Sequence, residues 1–188
     1  FIGQNLNQSG RVGAQLMMLG QRDPATFAVL HIDEDVHDSI HLLEKEKGFR
    51  DYFQEKSKIQ FEIIDFNLNP HQDAFRSQML ELLDNGRLKG IYVSTSKGTA
   101  MTASVLESHG KKDIRMIGYD ILSENLKYLR SGTIDFLINQ NPKRQALLGI
   151  SHLVNHLMFK KSAPHMDLFP LEIITQQNVD SYLGSGIH

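Results

Sequence analysis

The chain has 188 residues, with 20 basic against 22 acidic side chains, a formal charge of −2, no cysteine and 40% apolar residues. That apolar share can build the core of one domain or of two small lobes, whereas the scattered, nearly balanced charges lack the basic footprint by which a chain neutralises nucleic-acid phosphates. The lack of cysteine removes disulfides, thiolate catalysis and cysteine-based metal sites together, and there is neither an apolar run of about 20 residues to span a membrane nor a charged-then-apolar leader.

Strand and helix patterns alternate from end to end. Phe1 stands in what reads as the end of a strand, so the chain is expected to lack its natural start. After a break at residues 21–24, residues 27–32 form a short apolar run, followed by a helical pattern over about 36–53. A second strand at 59–66 leads to a helix from about Pro70 to Asp84, because Pro suits a first helical position and Asn85-Gly86 offers a left-handed stop. Residues 90–94 and a helix through Val105 make a third unit. Residues 114–120, 121–129 and 132–142 then read as strand, helix and strand. Such alternation predicts a parallel sheet with helices on its faces and the loops after strands on one edge. Ligands gather outside the carboxyl ends of strands in open sheets of this kind, which singles out Asp120 and Gln140.

The helix after Pro142 carries Ala146, Leu147, Ile150, Leu153, Val154, Leu157 and Met158 at helical spacing, a broad apolar stripe that something must cover. His152 and His156 share this helix at i, i+4, but Leu153 stands where a zinc-protease helix needs Glu. Asp33, Glu34, Asp35, His37, Asp38 and His41 lack the alternating ligands, Gly turn and terminal Glu of a calcium loop, and read as a solvated helix entrance. Residues 94–99, Ser-Thr-Ser-Lys-Gly-Thr, precede a helix, yet the Walker order of Gly and Lys is missing. With no nucleophile elbow, cofactor motif, metal site or paired acid and base, the chain reads as a binding module without cofactor, not as an enzyme.

Ile117-Gly118-Tyr119-Asp120, a helix, Gly132-Thr133-Ile134, then Ile138-Asn139-Gln140-Asn141-Pro142 resemble the carboxyl half of the effector domain of the lactose-repressor family, which shares its fold with type I periplasmic sugar-binding proteins. Residues 1–11 are similar to that family's strand and Gly-containing helix, and residues 171–180 to its terminal strand and tail. The resemblance implies an α/β, type I periplasmic-binding-protein-like fold of two lobes, the amino-terminal one incomplete. It places chain crossings near residues 22–26, 139–142 and 167–172. Residues 1–21 and 143–166 would then be a remnant of the amino-terminal lobe, and 22–142 with 167–188 the carboxyl-terminal lobe.

Carried over residue by residue, the resemblance makes Asp120 the carboxylate that accepts hydrogen bonds from sugar hydroxyls and Gln140 the hinge glutamine doing similar work. Gln4 stands where the family often has Asp, keeping an acceptor without the charge, and Asn5 retains the following Asn. Lys45 replaces a ligand-facing Arg and loses its planar fork. Thr95 replaces an Asn and offers one donor in place of two. Structural roles compete at each position: Asp120 could cap the next helix, Gln140 could satisfy backbone groups at a crossing, and Gln4, Lys45 and Thr95 could serve packing alone. The implied function is a cytoplasmic, homodimeric transcription regulator that senses a sugar or related small polar effector by lobe closure and contacts DNA only through a segment absent from these residues. A periplasmic solute-binding protein or an extracellular sugar sensor is the alternative with the same fold.

Overall fold

The computed structural model describes residues 1–32, 39–68 and 72–184. Asp33, Glu34, Asp35, His37 and Asp38, and Pro70 with its first-turn role, lie outside them. In chain order the elements are β1 (Ile2–Gly3), α1 (Leu6–Met18), β2 (Thr26–Ile32), α2 (Ile40–Lys56), β3 (Glu62–Leu68), α3 (Gln72–Leu83), β4 (Leu88–Val93), α4 (Ser96–Ser108), β5 (Arg115–Tyr119), α5 (Ser123–Ser131), β6 (Phe136–Asn139), α6 (Pro142–Phe159), β7 (Asp167–Leu168), β8 (Glu172–Ile174) and α7 (Val179–Gly184).

The larger sheet has strand order β3-β2-β4-β5-β6-β8, parallel except for β8, which runs antiparallel to β6. The α/β, mostly parallel architecture expected from the alternation is therefore present. Side chains leave a strand on alternate faces, and the core follows that period of two. Ala28, Leu30, Ile32, Ile91, Val93 and Met116 meet α3, α4 and α5 on one face, while Phe27, Val29, Tyr92, Ile117 and Tyr119 meet α1 and α2 on the other. All seven residues of β2 are buried, as a central parallel strand covered on both faces requires.

A second, two-stranded parallel sheet pairs β1 with β7, and α6 packs on β1. Three links join this small body to the large sheet: residues 4–5 between β1 and α1, 140–141 between β6 and α6, and 169–171 between β7 and β8.

That arrangement corrects the expected crossing near residues 22–26. Helix α1 lies on the large sheet, where Ala14, Leu16 and Met17 enter the core with Phe27 and Tyr92. One Nη atom of Arg115 donates to the carbonyls of Leu16, Met17 and Leu19 at 3.2, 2.9 and 2.5 Å, satisfying the end of α1 with a cation from β5. The physical reason is a close approach of α1 and α2. A Cβ on Gly10 would fall 1.8 Å from the Lys45 carbonyl oxygen, and one on Gly48 would fall 2.0 Å from that of Asn7. Only glycine permits the two backbones to touch there.

Asn85-Gly86 also departs from expectation. Gly86 is absent from the positive-φ glycines, which are Gly20, Gly110 and Gly132. The turn is closed instead by the Asn85 side chain, whose Oδ1 accepts from the Arg87 N–H at 3.0 Å, an alternative that Asn supplies locally. Residues 132–142 are likewise not one strand: Gly132 at φ 78° ends α5, and Asn141 at φ 52° caps α6 by accepting from the Arg144 N–H at 3.2 Å.

Helix α6 buries none of its residues. Leu147, Ile150, Leu153 and Leu157 are 57 to 60% exposed, with Val154, Met158 and Phe159 beside them.

Gly10→Ala and Gly48→Ala should each destabilise the fold by about 1–3 kcal/mol through overpacking. Gly86→Ala, with nothing within 4 Å of the new Cβ and no positive φ, should be neutral or stabilising by up to about 1 kcal/mol. Urea midpoints at constant slope distinguish the three, and equal midpoints would contradict the helix approach.

Candidate functional site

Asp120 follows β5 with φ 62°, a left-handed conformation that costs a non-glycine residue about 1 kcal/mol or more. The surroundings fix it. Its N–H donates to the Ile138 carbonyl at 3.1 Å, and its own carbonyl accepts from Asn125 Nδ2 at 3.0 Å. Asn125, fully buried, also donates to the Tyr119 and Ser96 carbonyls at 2.9 and 3.1 Å, joining the end of β5 to the start of α4.

The Asp120 carboxylate, 5% exposed as a residue, turns back along the strand tips. Oδ1 accepts the Gln140 N–H at 2.7 Å, while Oδ2 accepts Gln140 Nε2 at 2.9 Å and the Ser96 hydroxyl. Asp120 therefore does not cap α5, whose N-cap is Leu122 without a side-chain bond. Gln140 does not satisfy backbone groups with its amide either; that role belongs to Gln145, whose Nε2 donates to the Gln140 carbonyl at 2.7 Å. A carboxylate has about four lone-pair sites. Three are engaged, so one remains until Gln140 or Ser96 moves.

The other candidates extend this line across the sheet edge. Gln4, 4% exposed, donates through Nε2 to the Asn139 carbonyl at 2.8 Å and the Pro170 carbonyl at 3.0 Å. Both partners are carbonyls, which only the amide NH₂ can serve, while the acceptor Oε1 is buried with no partner among the described residues. Asn5 is the N-cap of α1, accepting from the Gln8 N–H at 2.9 Å. Lys45, 2% exposed, donates through Nζ to the Ser94 carbonyl at 3.0 Å and lies 3.8 Å from the centroid of the Tyr119 ring. Thr95 is the N-cap of α4 but gives it no side-chain bond, and its buried Oγ1 has no hydrogen-bond partner among the described residues. Ordered in space, Lys45, Thr95, Asp120, Gln140 and Gln4 follow the tips of β4, β5 and β6. Of these, only Asp120 and Gln140 bond side chain to side chain.

Sequence reasoning missed Ser96, Asn125 and Asn139. Ser96 stood within the rejected phosphate-loop comparison, and only the third dimension brings it to Asp120. Asn125 carried a signal, a polar residue on the core-facing side of a short helix. Asn139 reaches across to Glu172, donating Nδ2 to Oε2 at 2.7 Å.

A groove of about 600 Å³ opens at this end, bordered by Asp120, Asn139, Asn141, Arg144, Glu172 and Tyr182 among others. It takes in both neighbours of Gln140 but not Gln140, whose amide is turned onto Asp120.

Behind the tips lies a charged pair. His31 shares Nδ1 with the Ser94 hydroxyl at 2.8 Å and Nε2 with Glu46 at 2.9 Å, and Arg50 Nε donates to the second Glu46 oxygen at 2.6 Å. The His31 hydrogen bond, seconded by Arg50 against partial burial, holds the Glu46 carboxyl down at about 2. Tyr119 and Tyr92, hydroxyl to hydroxyl at 2.5 Å, are both pushed upward by burial and stay neutral. On α6, His152 meets Asp167 at 3.1 Å and His156 donates to the Lys161 carbonyl at 3.1 Å, so the two imidazoles are committed to different partners.

The sequence matches the model of the periplasmic binding protein domain over residues 1–161, and the chain belongs to that family. Among solved structures it is similar to a candidate LacI transcriptional regulator from Bacteroides fragilis, 31% identical, with a TM-score of 0.87 over 97% of this chain and 63% of that one. A periplasmic ribose ABC transporter protein from Conexibacter woesei, 19% identical, shares the fold with a TM-score of 0.81 over 99% of this chain and 62% of that one. A solute-binding protein from Burkholderia graminis in complex with D-arabinose, 23% identical, does so with a TM-score of 0.80 over 96% and 63%. The chain thus spans less than two thirds of these proteins. No curated protein matches. Among the described residues no helix is long and apolar enough to cross a membrane.

Because the folded Glu46 value lies below its ordinary 4.5, the ionised Glu46 carboxylate stabilises the fold fully above about pH 4.5, and that contribution disappears as pH falls through about 2. Glu46→Gln should lower stability at neutral pH and flatten the acid-side decline between those values. Urea denaturation across the window is the measurement; a slope matching the wild type would remove Glu46 from the account.

Proposed function

We propose that this chain is the effector-sensing part of a transcription regulator of the lactose-repressor type. It binds a sugar or related small polar molecule at the seam between two lobes. Lobe closure around that molecule changes the geometry of a homodimer and hence the spacing of DNA-reading modules carried outside these residues, in the cytoplasm. Such a bias is limited by the effector's differential affinity for the two lobe arrangements.

One observation carries the ligand reading: Asp120, in a strained conformation at a strand tip, holds a hydrogen-bonded carboxylate beside Gln140 at the link to the second body. Functional strain of this kind is kept only when the surroundings enforce it. The regulator reading draws on the 31% identity to the Bacteroides fragilis protein. Solute transport is the second reading, favoured by the shared fold of the ribose and D-arabinose proteins. Residues encoded upstream separate them: a helix-turn-helix supports regulation, a signal peptide transport. The apolar face of α6 would be covered by the remainder of the smaller lobe in the longer protein. An enzyme would consume its sugar, so recovery of unchanged ligand after binding counts against hydrolase or kinase activity.

Thermal-shift screening of the full-length protein against mono- and oligosaccharides and phosphorylated sugars, with D-arabinose and D-allose included, tests the ligand class. A selective binder at 100 times its Kd should stabilise the native state by about 2.7 kcal/mol. Asp120→Ala should abolish that shift while the protein remains folded. An undiminished response would remove Asp120 from the site.

A further inference from the structure

We infer that Gln4 is the tie of the hinge, a positioning residue that holds all three links between the small body and the large sheet. Gln4 lies in the first link. Its Nε2 donates at 2.8 Å to the carbonyl of Asn139, where β6 runs into the second link, and at 3.0 Å to the carbonyl of Pro170 in the third. One buried carboxamide therefore ties its own segment to two others, 135 and 166 residues further along the chain, and its two hydrogens are both used. The choice between N and O is unambiguous because two carbonyl oxygens cannot face Oε1, which is itself buried without a partner.

The tie acts on the site through Asn139. That residue is followed by Gln140, whose N–H and amide grip Asp120, while the Asn139 side chain reaches Glu172 on β8. The third link carries Phe169, whose N–H donates to the Gly3 carbonyl at 2.7 Å next to Gln4. Loss of the tie releases Gln140 and Phe169 together and leaves the large sheet intact. An ionised carboxylate at position 4 cannot replace it, as it donates nothing and faces two carbonyls. A protonated one restores a single donor. The consequence for effector binding rests on the two-lobe function proposed above, but the tie itself can be tested without any ligand.

The test is hydrogen–deuterium exchange on the full-length protein, wild type against Gln4→Glu and Gln4→Met, with protection factors corrected for intrinsic rates at about pH 7.5 and about pH 5. Glu172, Asp120 and Arg144, whose guanidinium stands 4.9 Å from the Phe169 ring centroid, border the tie; the wild type at both pH values controls for their titration. At pH 7.5 both variants should lose about tenfold in protection at the Gln140 and Phe169 amides, the factor expected for two neutral hydrogen bonds, with β2 and β4 unchanged. At pH 5 Gln4→Glu should regain part of that loss and Gln4→Met none. Undiminished protection at those two amides, a loss shared equally by β2 and β4, or equal recovery of both variants at pH 5 would overturn the assignment. If Gln4→Glu does not fold, the selective loss in Gln4→Met decides alone. Failure of the sugar screen would leave this result standing, so the two readings fail separately.

Discussion

A parallel strand covered on both faces leaves polar groups only one place to go, and most of this molecule follows from that constraint. β2 is buried along its whole length and its neighbour β4 nearly so, and every peptide group there must be paired within the sheet. Charged and amide side chains are therefore displaced to the strand tips. There they meet helix starts and the links to the small body, and they must find partners among themselves because water is largely excluded. The row from Lys45 to Gln4 is the outcome.

Within that row, the chemistry is a matching of donors to acceptors. Asp120 supplies acceptors, and Gln140 and Ser96 supply the donors. Gln4 supplies donors to carbonyls that the links could not otherwise satisfy. Replacing an Asp by Gln removes the charge and lengthens the side chain by one methylene. Here the gain of two N–H donors matters more, because the partners are carbonyls and an acceptor would repel them. Lys45 illustrates the same point: its compact ammonium donates to the Ser94 carbonyl while seated over an aromatic ring, a position that a broad guanidinium fork would not fill in the same way.

The exposed stripe of α6 and the close contact of α1 with α2 show how differently two helices of similar amphipathic pattern can be used. Helix α1 carries glycine where α2 crosses it, so its apolar side chains reach the large core. Helix α6 rests on the short small sheet and keeps its leucines outside. Neither outcome depends on hydrophobic periodicity, which both helices possess. It depends on what stands opposite.

Local patterns determined the alternation of strands and helices, the two-faced sheet, the apolar stripe of α6 and the position of Asp120 and Gln140 just after strand ends, because periodicity and turn chemistry act over a few residues. The resemblance in the Ile-Gly-Tyr-Asp and Ile-Asn-Gln-Asn-Pro segments extended this to the family. Tertiary structure alone decided that α1 belongs to the large sheet, that Ser96 shares the Asp120 carboxylate, and that the Gln4 amide donates to the carbonyls of Asn139 and Pro170. Each of these depends on a backbone or side chain distant in sequence, whose hydrogen-bonding sign and available space no local window contains.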